Sequence, residues 1–453
     1  MLGSLNSSSH DQEEDETSDL HNQQGPHAPS PLRASTFSSS SLHMRQLLIS
    51  CAELISQSDF SAAHSLVSIL SAGSSPYGDS MERLVHQFVK ALCLRLNLHS
   101  HSLSCMLINT NNIPTPSPPL PPAIGTSSAG IGSGNYMMTN YNSNIASSSE
   151  SLHSCYLSLN QITPFIRFSH LTANQAILEA IQVGQQAIHI IDFDIMHGVQ
   201  WPPLMQALAD RSNSTFHPPP MLRITGTGHD LSILHRTGDR LLKFAQSLGL
   251  RFQFHPLVLV NNSPTYLALH LPSSITLLPD EALAVNCVLY LHRLLKDDSR
   301  ELILFLQKIK ALNPKIVTVA EREANHNHPL FLHRFVEAMD HYAALFESLE
   351  ATLPPHSRER LEVEQIWFGR EIMDIVAADG DNRRERHERF EFWEMILRSN
   401  GFTNVPLSPF ALSQAKLLLR LHYPSEGYHV QILNNTFFLG WQNRALFSVS
   451  SWH

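Results

Sequence analysis

The chain has 453 residues, of which 43% are hydrophobic and only 16% charged, so a packed body of one large or two ordinary domains is expected rather than a disordered scaffold. A formal net charge of −9 argues against a charge-driven grip on nucleic acid or on an anionic membrane, while leaving room for a local basic face. Five scattered cysteines without a CxxC pair argue against a disulfide framework or a cysteine knuckle, and favour a reducing compartment.

Residues 1–43 are rich in Ser, His, Gln and acids, with an acidic run from Asp11 to Asp19, and read as a disordered tail. Helical periodicity begins near Met44. Leu48, Ala52 and Ile55 share one face, Ser58-Asp59 offers an N-cap, and Ala63, Leu66, Val67 and Leu70 continue the stripe in a second helix. A third helix opens near Asp79, with Glu82 placed for a capping box, and runs through Leu84, Val85, Phe88, Leu92 and Leu96. The stripes read as bundle core, with a partner-binding surface as the alternative. Residues 99–150, with Pro114, Pro116, Pro118, Pro119, Pro121 and Pro122 followed by Ser, Asn and Gly, read as a low-complexity insertion in a loop. Helical sequence resumes near Ser151.

Strands and helices then alternate. Ala187-Ile188-His189-Ile190-Ile191-Asp192 is short, almost wholly apolar and ends in an acid, as a strand buried on both faces of a parallel sheet would be. Further strands are expected at 222–225, 251–254, 282–289 and 315–319, with helices at 231–248, 300–312 and 329–349. Ser408-Pro409 starts another helix, and Tyr428–Leu433, Thr436–Trp441 and Ala445–Trp452 form antiparallel hairpins. The fold class is therefore α/β: a Rossmann-like, methyltransferase-like doubly wound sheet with C-terminal antiparallel hairpins, preceded by an N-terminal α-helical region.

Such a sheet raises the possibility of an S-adenosylmethionine-dependent methyltransferase, or of a small-molecule-binding relic of one. Two features oppose catalysis. The turn after Asp192 carries Phe193, Ile195 and Met196, with no glycine before Gly198, where backbone amides would need to approach a cofactor. The second strand ends in Gly226-Thr227-Gly228 rather than in a carboxylate for ribose hydroxyls, and Leu231 stands where a third glycine would be needed. No cofactor and no catalytic residue are expected. No metal is expected either: His99, His101, His326 and His328, with Glu321 and Glu323 nearby, read as solvated loop residues in a chain with 27 histidines. His189 reads as a satisfied buried histidine, and Asp192 and Asp194 as carboxylates that hold helix or loop amides. The run Arg383-Arg384-Glu385-Arg386-His387-Glu388-Arg389 mixes bases with acids, so a salt-bridged helix face or structural network competes with DNA or partner contact by Arg383, Arg384 and Arg386. Leu291-His292-Arg293-Leu294-Leu295 has the LxxLL form of a groove-binding helix but follows a buried strand, which favours packing.

Ile188-His189-Ile190-Ile191-Asp192, with Gly198-Val199-Gln200-Trp201-Pro202 after it, resembles the VHIID motif of the plant GRAS family, the scarecrow-like proteins. Ile188 replaces the motif's valine. By the same resemblance residues 44–453 form the GRAS domain, with a first leucine-rich region at 44–98, the VHIID region at 151–220, a second leucine-rich region at 236–257, a PFYRE region at 280–380 and a SAW region at 383–453. Pro329, Phe335, Tyr342, Arg370 and Glu371 match the PFYRE pattern. Arg389 with Glu394, Trp393 with Gly401, and Trp441 with Trp452 match the SAW pattern. The resemblance implies a helical cap on the Rossmann-like core and a nuclear transcriptional regulator. Other transcription factors or GRAS proteins are the implied partners, with a homo- or heterodimer compatible, and promoter DNA reached directly or through a partner. It further implies a role in axillary meristem initiation and shoot branching. No membrane partner is expected, since no apolar run approaches the length of a span.

Overall fold

A computed structural model describes residues 31–110, 152–215, 218–259 and 275–453. The chain divides into two units, Met1–Leu42 and His43–His453. Within the larger unit, α2 (Phe60–Ala72) is capped by the Asp59 carboxylate, which accepts from the Ala62 amide at 3.1 Å. The third helix, α3 (Ser80–Thr110), opens with the expected capping box: the Glu82 amide donates to Asp79 at 2.8 Å and the Asp79 amide to Glu82 at 3.2 Å. Leu48, Ala52, Ile55, Ala63, Val67, Leu70, Leu84, Val85, Phe88, Leu92 and Leu96 are all buried, so the apolar stripes of the first leucine-rich region are core. Two boundaries move. The first helix, α1, spans Pro31–Ser56 and so starts within the segment read as tail, with a proline at its opening position where no amide hydrogen is needed. The helix α3 continues to Thr110, past the boundary at 99, because its prolines begin only at Pro114. The rest of the 99–150 insertion lies outside the described residues.

A helix at 152–162 (α4) and α5 (Pro164–Ala180) lead into the sheet. Its strands are β1 (Ala187–Phe193), β2 (Met221–Gly228), β3 (Phe252–Val258), β4 (Glu281–Val288), β5 (Ile316–Arg322), β6 (Asn404–Val405), β7 (Tyr428–Leu433), β8 (Thr436–Trp441) and β9 (Arg444–Trp452). The order is β3-β2-β1-β4-β5-β9-β8-β7, with β6 paired to β9. Strands β1 to β5 are mutually parallel, and β9 runs antiparallel to β5. The parallel half is joined by α6 (Trp201–Thr215), α7 (Leu231–Ser247) and α8 (Arg300–Ala311), as crossover connections between parallel strands require. Central strands β1, β4 and β5 are buried almost throughout, whereas β3 exposes Gln253 and His255 and tolerates Pro256 because it is an edge.

Between β5 and the antiparallel strands lie α9 (Phe331–Thr352), α10 (Arg358–Glu362), a π-helical turn at Val363–Phe368 and α11 (Gly369–Ala377). After a 3₁₀ turn at Gly380–Asn382 come α12 (Phe390–Ser399) and α13 (Pro409–His422). Helix α11 packs on α3, which binds the cap helices to the sheet's own helices. One buried ion pair crosses that seam: Arg83 of α3 donates to both Glu364 oxygens at 2.7 and 3.1 Å. Among the described residues no helix is long and apolar enough to cross a membrane.

Candidate functional site

The carboxyl ends of parallel strands are where α/β sheets bind ligands, and Asp192 stands at the end of β1. Here that position is consumed by the protein itself. Asp192 accepts from Trp201 Nε1 and from Asn286 Nδ2, each at 2.8 Å. Asn286 of β4 exchanges hydrogen bonds with the Gln200 side chain at 3.0 and 3.1 Å, and its oxygen also accepts from Thr318 of β5 at 2.8 Å. Gln200 donates in turn to Asn174 of α5 at 3.1 Å, and Asn174 donates to the Gln200 carbonyl at 2.8 Å. The result is a buried, hydrogen-bonded network across three strands and two helices, the kind that specifies one core arrangement. Burial pushes the Asp192 carboxyl up to about 7, against the two donors, which favour its ionised form.

The neighbouring residues behave likewise. His189 is fully buried on β1, with Nε2 2.8 Å from Thr225 Oγ1 and Nδ1 3.1 Å from Arg223 Nη2. Burial, and then the Arg223 guanidinium, lower its pKa to about 4, so it is a neutral spacer in the sheet. Asp194 pairs with Arg293. Both aspartates therefore hold side chains rather than the helix or loop amides expected from sequence. The amide of Asp194 instead donates to Thr227 Oγ1 at 2.8 Å.

The loop after β1 closes the cleft. Asp194, Met196 and Gly198 all have left-handed backbone, with φ of 65°, 49° and 63°. These turns lay Ile195 over the end of β2, where its amide donates to the Thr227 carbonyl at 3.0 Å. Gly226 and Gly228 are the closing residues of β2, which runs to Gly228. The reason for Gly226 is steric: a Cβ there would sit 2.8 Å from Ile195 Cδ1 and 2.9 Å from the Phe254 ring. What remains beside Asp192 is a cavity of about 30 Å³ bordered by Tyr156, His170, Asp194, Ile195 and Arg293. That is room for about one water, whereas organic ligands occupy roughly 300–1,000 Å³. A nucleoside cofactor does not fit, and no catalytic step follows from this geometry. Gly226→Ala should cost about 1–3 kcal/mol by overpacking. Chemical denaturation should show part of that loss restored when Ile195 is shortened to Ala in the same chain.

The arginine-rich segment is also internal. Residues 383–389 are an extended loop, not the helix face considered from sequence. Arg386, 1% exposed, donates to Asn327 Oδ1, Asp297 Oδ1 and the Gly380 carbonyl at 3.0, 2.9 and 2.8 Å. Arg383 is buried as well, while Arg384 and Arg389 are exposed, and Arg389 pairs with Glu337 at 3.0 Å. Arg383 and Arg386 are thus turned inward, and of the three arginines considered for DNA or partner contact Arg384 is the exposed one. Arg386→Ala should lower stability by about 2–3 kcal/mol, because charged hydrogen bonds are lost in a buried site. Arg384→Ala should stay within about 0.5 kcal/mol of the parent in the same urea titration.

The other motif residues are mostly scaffold. Ile188, Ile190 and Ile191 are fully buried. Phe335 meets Phe88 of α3 edge-on, 5.2 Å between centroids. Tyr342 donates to Glu371 at 2.9 Å, and Glu371 holds Arg322 through both oxygens. Trp393 Nε1 donates to the Glu388 carbonyl and Trp452 Nε1 to Ser450 Oγ, each at 2.9 Å. Trp441 is buried against Tyr428. Gly401, with φ of 85°, terminates α12 in the left-handed conformation that glycine allows. Pro329 and Arg370 are exposed, and Glu394 forms an exposed pair with Arg398. Leu291, Leu294 and Leu295 are buried, as expected from packing. His326, read as a solvated loop residue, is instead fully buried. Sequence reading also missed His292 and His387, which the fold brings against Glu321.

Fold and site together define a capped, Rossmann-like α/β protein whose ligand end is filled by its own side chains. The GRAS domain family model matches residues 44–117 and 126–453, and the chain belongs to this family of plant transcriptional regulators. It is 53% identical to Scarecrow-like protein 18 of Arabidopsis thaliana over 90% of this chain and 91% of that protein. It is 43% identical to Protein MONOCULM 1 of Oryza sativa subsp. japonica, over 90% and 88% of the two chains. The crystal structure of SCL7 from Oryza sativa superposes with a TM-score of 0.69 at 33% identity, covering 90% of this chain and 99% of that one.

Proposed function

We propose that this chain works in the plant nucleus as a developmental regulator of transcription, acting through protein partners rather than by catalysis. The observation that carries the reading is the closed strand end: Ile195 and the Asp192 network occupy the carboxyl end of the parallel strands, where open α/β sheets hold their ligands. Family membership supports the regulatory role. A part in axillary meristem initiation and shoot branching is supported by the resemblance of Met1-Leu2-Gly3-Ser4 and the run from Arg45 to Ala63 to the family member Lateral suppressor. Partners are other transcription factors or GRAS proteins, in a homo- or heterodimer. They meet the outer faces of the cap, where Ile69, Tyr77 and Leu98 are exposed, since the inner stripes are spent on core packing.

Selection of the full chain against random duplex DNA, at low and at physiological salt, separates direct from partner-mediated promoter contact. A sequence enriched at physiological salt makes the chain a DNA reader in its own right. Loss of binding, or binding without sequence preference, assigns DNA recognition to a partner. Calorimetry with millimolar S-adenosylmethionine tests the rival methyltransferase reading, and any stoichiometric heat of binding would overturn the closed-cleft argument.

A further inference from the structure

We propose that His292, His387 and Glu321 form a divalent transition-metal site, suited to zinc, at the carboxyl ends of β4 and β5. The ligand types fit: two imidazoles and one carboxylate are a common protein set for zinc, with a water completing the tetrahedron. His292 lies on the 3₁₀ turn Leu291–Leu294 after β4, Glu321 near the end of β5, and His387 in the loop 383–389. All three are at most 1% exposed.

The two rings lie 4.0 Å apart between centroids and share their orientation toward two carboxylates. Glu321 Oε2 sits at the Nδ1 edge of both, 2.7 Å from His292 and 3.9 Å from His387. Zinc bonds of about 2.0–2.1 Å place tetrahedral ligand atoms about 3.3 Å apart, midway between those spacings. Small ring shifts would therefore convert the present arrangement into a metal shell. Glu385 sits at the opposite edge, its Oε2 3.1 Å from His387 Nε2 and 3.3 Å from His292 Nε2. A carboxylate behind a metal-bound imidazole fixes the tautomer and turns the other nitrogen's lone pair toward the ion. Glu321 is itself oriented by the Leu291 and His292 amides, at 2.7 and 3.3 Å.

Two further observations point to a ligand. His387 Nδ1 is buried without a hydrogen-bond partner, a costly state that a metal bond resolves. Two carboxylates also bring two negative charges into a dry site. Both face the same two rings, whose centroids lie 4.0 Å apart at an interplanar angle of 36°, so a divalent ion at the Glu321 edge would meet negative charge already in place. His326 lies 5.5 Å from His387 between ring centroids, outside the three-residue cluster, and neither of its nitrogens is hydrogen-bonded.

The test uses the full chain, loaded with zinc and dialysed against a weak chelator, with metal counted by plasma mass spectrometry. The expected result is one zinc per chain and a melting temperature raised by about 3 °C or more over the apo protein. Cobalt in place of zinc should give the visible absorption of a four-coordinate site. His387→Gln and Glu321→Gln should lose the metal, and Glu385→Gln should bind it about 10–100-fold more weakly. His328→Gln, at a half-buried histidine outside the cluster, should retain it. Wild-type protein holding less than about a tenth of an equivalent, with no thermal shift, would overturn the proposal without recourse to any variant. So would a full equivalent retained by both His387→Gln and Glu321→Gln, which would assign the metal to other histidines.

Discussion

Glu371→Ala should be among the most damaging single substitutions in the chain, with an expected loss of roughly 3–5 kcal/mol. Its carboxylate accepts from Arg322 Nη2 at 2.7 and 2.8 Å and from the Tyr342 hydroxyl at 2.9 Å. Arg322 ends β5 and is only 1% exposed, packed over the Phe447 and Phe368 rings at 5.1 and 5.7 Å. Removing Glu371 leaves that guanidinium without its counter-ion in an apolar setting, and no nearby solvent can take over. Tyr342→Phe removes one hydrogen bond and should cost only about 1 kcal/mol. Urea unfolding followed by circular dichroism distinguishes the two. Equal midpoints for the pair would mean that Arg322 finds another partner and that the ion pair does not hold α11 to the sheet.

That ion pair also shows why some features were legible in the sequence and others were not. Strands β1, β4 and β5 announce themselves as short apolar runs because both faces are covered, and a period of one needs no long-range knowledge. The caps at Asp79 and Ser408 are equally local: donor and acceptor lie within three residues. Strand β3 was found at 251–254 but ended four residues early, because half-exposure and Pro256 at this edge dilute the signal. Helix α6 was not among the expected elements: it begins Trp201-Pro202-Pro203, prolines that a first turn tolerates because its amides have no intrahelical acceptor to lose. The segment 383–389 was ambiguous because its alternating charges suit a solvated helix. Two of its actual partners, Asp297 and Asn327, are remote in sequence, 89 and 59 residues from Arg386.

The candidate site divides along the same line. The residues that would exclude a cofactor, Phe193 to Met196, were visible as side chains too large for a phosphate-binding turn. Gly226 was visible as a glycine, but its cause was not, since Ile195 comes against it only through the turn that Asp194 and Met196 make. His292, Glu321 and His387 come from three separate segments, so no spacing rule could join them. A motif scan finds ligands within a loop or helix turn. It cannot find ligands assembled at the ends of two strands.

Asp192→Ala should cost about 2–5 kcal/mol, since it leaves the indole N–H of Trp201 and one of the two N–H groups of the Asn286 amide buried without an acceptor, the other still reaching Gln200. The size of that loss should depend on pH, with a sign set by the burial of the carboxyl. Its pKa is raised from an ordinary 3.8 to about 7, by desolvation first and by the nearby Asp194 charge as well, with the two donors opposing. Between those values the folded chain keeps a proton that the unfolded chain has released. The stabilisation from this group is therefore complete below pH 3.8 and is lost as pH rises through 7. Tyr156, His170, Asp194 and Arg293 face the same small cavity, so the comparison must be made against a variant that keeps all four. Asp192→Ala does so, and the gap between it and the parent should be wider at pH 5 than at pH 8. Asp192→Asn, which keeps one acceptor and cannot titrate, should show the same narrowing relative to the parent. A gap that is flat, or that widens toward pH 8, would mean that Asp192 is ionised throughout. The strand end would then hold a fixed negative charge, which Trp201 and Asn286 stabilise more strongly than burial opposes it.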